Sequence, residues 1–192
     1  MKNVPIMLLG FGNVGQSIAH LVEQNDGYAH EGVRLTIHSI FDRSGGVATE
    51  GYELAALVDA KRKQGRVRAI EGAREITRDG ALDALSGGVL VDTSITDAET
   101  GEPGFTPARE ALERGVPVVF ASKGPLVARY SELSALAKAN GARLGASAAV
   151  GMPLPSLEVG VLGLRGTKLS RFRGVFNDTT NQILRDLEAG IL

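Results

Sequence analysis

Three glycines spaced as Gly10-Phe11-Gly12-Asn13-Val14-Gly15 are the first residues in this chain whose types and spacing point to chemistry. The first glycine permits a tight turn, the second lets a pyrophosphate approach the backbone, and the third lets a helix pack closely on a strand. An apolar run of strand length, Pro5–Leu9, leads into the loop, and a helical pattern leads out of it. The free N–H groups and the positive dipole end of that helix would then face the phosphates. In this setting the spacing implies a nicotinamide dinucleotide, NAD or NADP, held by Gly10, Phe11, Gly12, Asn13, Val14 and Gly15.

Two further positions bear on the same ligand. Asp42 ends the next strand-like run, where a carboxylate can accept hydrogen bonds from the adenosine ribose hydroxyls. Arg43 follows it, and a guanidinium there can instead hold the 2′-phosphate of NADP, with Lys61 able to lend a second charge. Arg43 and Lys61 are equally compatible with solvated surface charge. Lys123 lies just beyond a later strand, on the edge of the sheet where ligands bind. A partly desolvated ammonium there could move a proton during hydride transfer, although a lysine at a strand end is commonly a plain surface residue. His20, His30 and His38 are scattered, with no metal-ligand or triad spacing.

The elements that must position these residues alternate between strand and helix. In Gly12–Gln24 the residues Val14, Ile18, Leu21 and Val22 fall on one helical face, and Asn25-Asp26-Gly27 breaks the pattern. Val33–Phe41 reads as a strand and Asp42–Gly51 as a loop rich in glycine and serine. Leu54, Leu57 and Val58 mark a helix running into Lys61-Arg62-Lys63, while residues 64 to 80 carry no clear pattern. Val89–Val91 is a short buried strand, followed by a loop from Thr93 to Phe105. Thr106-Pro107 reads as a hydroxyl N-cap with proline at the first helical position. Gly115 stops that helix, and Pro117–Ala121 is the next strand. Leu133, Leu136 and Ala137 form a helical stripe with Gly141 as its C′ residue. Ala142–Ala146 is a last strand. This rhythm predicts an α/β fold, a Rossmann-type doubly wound parallel sheet over residues 1–146. Ser147–Pro155 reads as a hinge, and a helix (Leu157–Leu162), a strand (Leu169–Phe176) and a helix (Ile183–Leu187) follow it.

Composition narrows the function classes. A net charge of −1 provides no field to hold nucleic acid, and the basic run Lys61–Arg68 has no interleaved aromatics. With no cysteine, disulfides and thiolate metal sites are excluded. The N-terminal apolar run is too short for a signal-peptide core, and no stretch has the length of a transmembrane helix. The expectation is a cytoplasmic protein with a small-molecule substrate and neither a nucleic-acid nor a membrane partner.

Later motifs make the chain resemble a known family. Gly101-Glu102-Pro103, the stretch Val118-Val119-Phe120-Ala121-Ser122-Lys123-Gly124-Pro125-Leu126, and Arg173-Gly174-Val175-Phe176-Asn177-Asp178-Thr179-Thr180-Asn181-Gln182-Ile183-Leu184 look like homoserine dehydrogenase, in register from about Pro5 to Gly190. The resemblance implies interconversion of L-aspartate 4-semialdehyde and L-homoserine with NADP or NAD. It makes Lys123 the catalytic proton donor to the carbonyl oxygen. It places Thr93, Ser94 and Ser122 with the cofactor, and Asp178 and Thr179 with the substrate. Residues 147–192 would then be the incomplete start of an α+β substrate and dimerisation domain.

The departures from the family are specific. It writes Asn-Gly-Thr-Thr-Asn where this chain has Asp178, whose carboxylate would crowd and repel the substrate's own. Gly145 and Val150 replace a glutamate and a glycine of a turn that commonly holds a monovalent cation, so no metal is expected. The family continues for more than a hundred further residues, which carry acidic groups for the substrate ammonium and a second lysine. Residues from Pro153 to Leu192 hold more apolar side chains than a forty-residue appendage can cover. Self-association into a homo-oligomer follows, with Leu169–Phe176 as the pairing edge.

Overall fold

Strand β1 (Lys2–Leu9) buries the consecutive residues Ile6, Met7 and Leu8, as a strand covered on both faces must. The structure, a computed structural model, describes residues 1–25, 32–151, 156–171, 173 and 178–191. β1 pairs in parallel with β2 (Val33–Asp42) on one side and with β5 (Val89–Asp92) on the other. β6 (Val118–Phe120) and β7 (Leu144–Gly145) extend the parallel part beyond β5. With β3 (Gly45–Ala48) and β4 (Glu75–Ile76), the described residues form a seven-stranded sheet in the order β4-β3-β2-β1-β5-β6-β7, so the chain leaves β1 in one direction and returns to its other side at β5. Crossovers of one hand running in opposite directions place helices on opposite faces and open a crevice at the C-terminal ends of β1 and β5.

The sheet is not wholly parallel. The glycine-rich stretch read as a loop contains β3 (Gly45–Ala48), antiparallel to β2, and β4 (Glu75–Ile76) pairs antiparallel with β3. The reason is a turn confined to Arg43-Ser44 between the paired residues Asp42 and Gly45. The Asp42 side chain accepts from the Ser44 amide at 2.7 Å, and Gly45 takes φ +123°. Gly46 has no room for a side chain, since a Cβ there would meet the Phe41 ring. Glycine here builds a tight hairpin rather than an open loop. The unassigned stretch 64 to 80 resolves into a 3-10 turn (Val67–Ala69), β4 and the start of α3 (Arg78–Asp83).

Helix α1 (Asn13–Gln24) forms as expected, but its buried face is Gly15, Ala19 and Val22, while Val14 and Leu21 are about half exposed. Its first turn lies so close to the preceding loop that a Cβ on Gly15 would meet the Gly10 carbonyl. Helix α2 (Leu54–Gln64) ends on Gly65 at φ +74°. Helix α4 (Phe105–Glu113) starts a residue before the expected cap: Gly104 is its N-cap, and Thr106 lies in the first turn. The Glu102 carboxylate serves that turn instead, accepting from the Thr106 hydroxyl at 2.5 Å. Helix α5 (Gly124–Ala139) ends before Gly141, which has φ +65°.

The chain forms two compact units, 1–146 and 147–192. The second contains helices α6 (Ser147–Gly151), α7 (Ser156–Gly163) and α8 (Asp178–Glu188). The expected strand at Leu169–Phe176 is not seen in its described part: 169–171 and 173 are irregular, and the remainder lies outside the described residues. An apolar run becomes a strand only where a neighbour completes its ladder, and no described residue does so. Asp26 and Gly27 of the expected helix break also lie outside the described residues, as do residues 152–155 of the expected hinge. No described helix is long and apolar enough to cross a membrane.

Candidate dinucleotide site

The glycine loop occupies the crevice between β1 and β5. Gly10, at φ +89°, donates its amide to the Phe41 carbonyl at 2.8 Å. A Cβ on Gly10 would lie 2.6 Å from the Ser94 amide nitrogen, and one on Gly15 would meet the Gly10 carbonyl. Gly12 is the opposite case. It is the N-cap of α1, with extended backbone (φ −83°, ψ −159°), and a Cβ there meets nothing within 4 Å. Two of the glycines are therefore required by the protein's own packing, while the space at the third is open. Phe11 is 1% exposed, so its ring anchors the loop in the core and only its backbone can serve a ligand. Its carbonyl accepts from the Gln16 side chain at 3.1 Å. Asn13 and Val14 are exposed at the start of α1.

β5 brings Thr93 and Ser94 against this loop. The Thr93 hydroxyl donates to the Gly10 carbonyl at 2.7 Å, and its amide donates to the Leu9 carbonyl at 2.8 Å. Thr93 thus fastens the loop to the neighbouring strand. Ser94 donates its amide to the Asp92 carboxylate at 2.9 Å. From β6, Ser122 is buried and its hydroxyl donates to the other oxygen of Asp92. Lys123 is exposed at the N-cap of α5, its amide 3.3 Å from the Thr96 hydroxyl oxygen. Ser94, Ser122 and Lys123 therefore gather at one edge with the glycine loop. Sequence reasoning missed Asp92; its signal was a single acidic residue closing the apolar run Val89-Leu90-Val91.

At the adenosine end the structure rearranges the expected roles. The Asp42 side chain is 4% exposed. One of its oxygens accepts from the Ser44 amide and hydroxyl, the other from Lys61 Nζ at 2.7 Å and the Val67 amide at 2.9 Å. A carboxylate offers about four lone-pair sites, so none is left for a ribose hydroxyl. Burial by itself would raise the Asp42 pKa, but the hydrogen bonds from Lys61, Ser44 and Val67 outweigh it and hold the carboxyl below its ordinary value. Lys61 is engaged as well, donating to Asp42 and to the Gly65 carbonyl at 2.8 Å. Arg43, at the tip of the hairpin, is exposed.

Asp178 and Thr179 open α8 in the second unit.

No protein-family profile matches the chain. Among curated proteins, homoserine dehydrogenase from Methanocaldococcus jannaschii is 31% identical over 186 residues, covering 95% of this chain and 55% of the relative. The NAD(+)-dependent homoserine dehydrogenase from Pseudomonas canavaninivorans is 31% identical over 201 residues, covering 100% of this chain and 56% of the relative. Nearly the whole chain is similar in sequence to homoserine dehydrogenases. It spans about half the length of the curated relatives it matches. Among solved structures, a hyperthermophilic archaeal homoserine dehydrogenase in complex with NADPH superposes with a TM-score of 0.70 at 28% identity, over 82% of this chain and 47% of that one. The α/β architecture read from the alternation of strands and helices is thus shared with that homoserine dehydrogenase.

Proposed function

We propose that residues 1–146 bind a nicotinamide dinucleotide at the glycine loop, with NADP favoured. In this reading the chain acts as a homoserine dehydrogenase-like oxidoreductase interconverting L-aspartate 4-semialdehyde and L-homoserine. The observation that carries the reading is the open space at Gly12 between two glycines that the fold itself closes. That is a cradle a Cβ would fill, at the N-terminus of α1 and in the crevice of the sheet. The likeness to a structure that holds NADPH and to an NAD(+)-dependent relative supports the same ligand class.

When bound, the nicotinamide supplies or accepts the hydride. The chain's own residues do the rest: Gly10, Gly12, Gly15 and the backbone of Phe11, Asn13 and Val14 hold the pyrophosphate. Ser94 and Ser122 lie along the β5 and β6 edge for the nicotinamide half, and Thr93 keeps the loop in place. Lys123 Nζ gives a proton to the carbonyl oxygen in reduction and recovers it in the reverse direction. With the Asp42 charge countered by Lys61, the exposed guanidinium of Arg43 is the group for a 2′-phosphate. Asp178 and Thr179 are the substrate contacts, in a protein placed in the cytoplasm and acting as a homo-oligomer.

Calorimetric titration with NADPH tests the cofactor claim. Wild type should bind and Gly12→Val should not, while the two melt at the same temperature because the new side chain meets only open space in the free protein. Equal binding by both, or by neither, overturns the assignment. A steady-state assay with homoserine and NADP then separates turnover from a second reading, a cofactor-binding homologue without activity. Asp178 in place of the family's glycine favours that second reading.

A further inference from the structure

We propose that Asp92 is a positioning residue. Its buried carboxylate pins the loop carrying Ser94 to the turn carrying Lys123, and so sets where the proton donor stands relative to the cofactor. The inference rests on the reading of Lys123 and Ser94 given above.

Asp92 ends β5 and has no solvent exposure. Its two side-chain oxygens serve two different segments. One accepts from the Ser94 amide at 2.9 Å, on the loop that follows β5. The other accepts from the Ser122 hydroxyl, in the turn between β6 and α5. Its main-chain carbonyl takes the Ala121 amide at 2.8 Å and the Ser122 amide at 3.2 Å, so the turn is gripped through both side chain and backbone. A hydroxyl–carboxylate bond is charge-assisted, and burial removes the water that would otherwise compete for it.

The surroundings leave this carboxylate little freedom. A Cβ on Gly104, the N-cap of α4, would collide with the Asp92 carboxylate, which explains why that helix starts on a glycine rather than on a capping side chain. Gly124, directly after Lys123, faces Asp97 so closely that a Cβ would lie 2.5 Å from its carbonyl oxygen. The Lys123 amide also reaches the Thr96 hydroxyl at 3.3 Å. The two segments are therefore packed against each other along their length, and Asp92 is the buried polar centre of that contact.

Hydrogen exchange on the full 192-residue chain, without ligand, tests the proposal. Asp92→Ala should accelerate exchange in both segments, 93–97 and 121–124, by about tenfold or more, as loss of charge-assisted hydrogen bonds implies. Asp92→Asn should restore both, because its oxygen can accept from Ser94 and its amide can donate to the Ser122 oxygen. If Asp92→Ala fails to fold, Ser122→Ala should loosen 121–124 and leave 93–97 unchanged. Acceleration confined to 93–97 in Asp92→Ala, or an Asp92→Asn variant as loose as Asp92→Ala, overturns the proposal. So does a Ser122→Ala variant with unaltered exchange. NADPH titrated into the wild type reads the cofactor assignment separately: no binding with the expected exchange pattern rejects that assignment and leaves the pin intact.

Discussion

At the scale of single residues, adjacent side chains at the end of β2 do different work. Asp42 faces inward and has each oxygen filled by protein donors, whereas Arg43 is exposed at the hairpin tip. Discrimination between NADP and NAD should therefore follow Arg43. Arg43→Ala should weaken NADP binding by roughly 1.5–3 kcal/mol, the scale of a charged hydrogen bond, and leave NAD nearly unchanged. Paired titrations of the two cofactors decide it, and equal losses for both would remove Arg43 from the site. A sequence identifies an acid next to a base but not which of them turns inward. That choice came from Lys61 and Val67, nineteen and twenty-five positions away.

At the scale of elements, Asp42 joins the end of β2, the β2–β3 turn, α2 through Lys61, and the 3-10 turn through Val67. Its pKa is lowered in the folded chain, so its contribution to stability is complete above the ordinary aspartate pKa of ~3.9 and is lost as pH falls through the folded value. Asp42→Asn should flatten the acid side of the stability profile below about pH 4 and cost about 1–3 kcal/mol at neutral pH, where the partly buried Lys61 charge loses its carboxylate partner. Urea titrations in a buffer series from about pH 3, below the ordinary carboxyl value, to about pH 7 check both parts. The same elements show what the sequence made legible. β1, the glycine loop and α1 were readable because local pattern and tertiary role agree there. The β3–β4 edge was not, because Gly45 and Gly46 look like loop residues until the Phe41 ring and the Asp42-Ser44 turn are in view. The start of α4 was hidden for a related reason: Gly104 is dictated by Asp92, twelve residues earlier, and no local rule connects them.

At the scale of the whole molecule, the second unit leaves apolar groups in water. Val159, Val161, Leu162, Leu169, Ile183, Leu184, Leu187 and Ile191 are all exposed. Such a density on a short helical unit exceeds what a monomer ordinarily leaves uncovered. The 192-residue chain should accordingly self-associate, as a dimer or larger, at micromolar concentration in light scattering. Replacing Leu184 and Leu187 with lysine should return it to a monomer without changing NADPH affinity in residues 1–146. A monodisperse wild-type monomer would show that these side chains need no cover. Of the pairing edge expected at Leu169–Phe176, residues 169–171 and 173 form no strand, and the rest lies outside the described residues.

The division of labour at the β2–β3 hairpin bears on how such a protein can change over generations. Holding the sheet edge together falls to Asp42, while contact with the outer end of the cofactor is the role proposed for its neighbour, on a turn of only two residues. On that proposal, selection should be able to alter nucleotide preference at position 43 with almost no penalty in foldedness, and not at position 42. A saturation library makes this measurable. Nearly every replacement of Arg43 should express as soluble protein with wild-type melting behaviour and a spread of NADP to NAD ratios. Replacements of Asp42 should be lost mainly as insoluble or low-melting chains, with the ratio unmoved among the survivors.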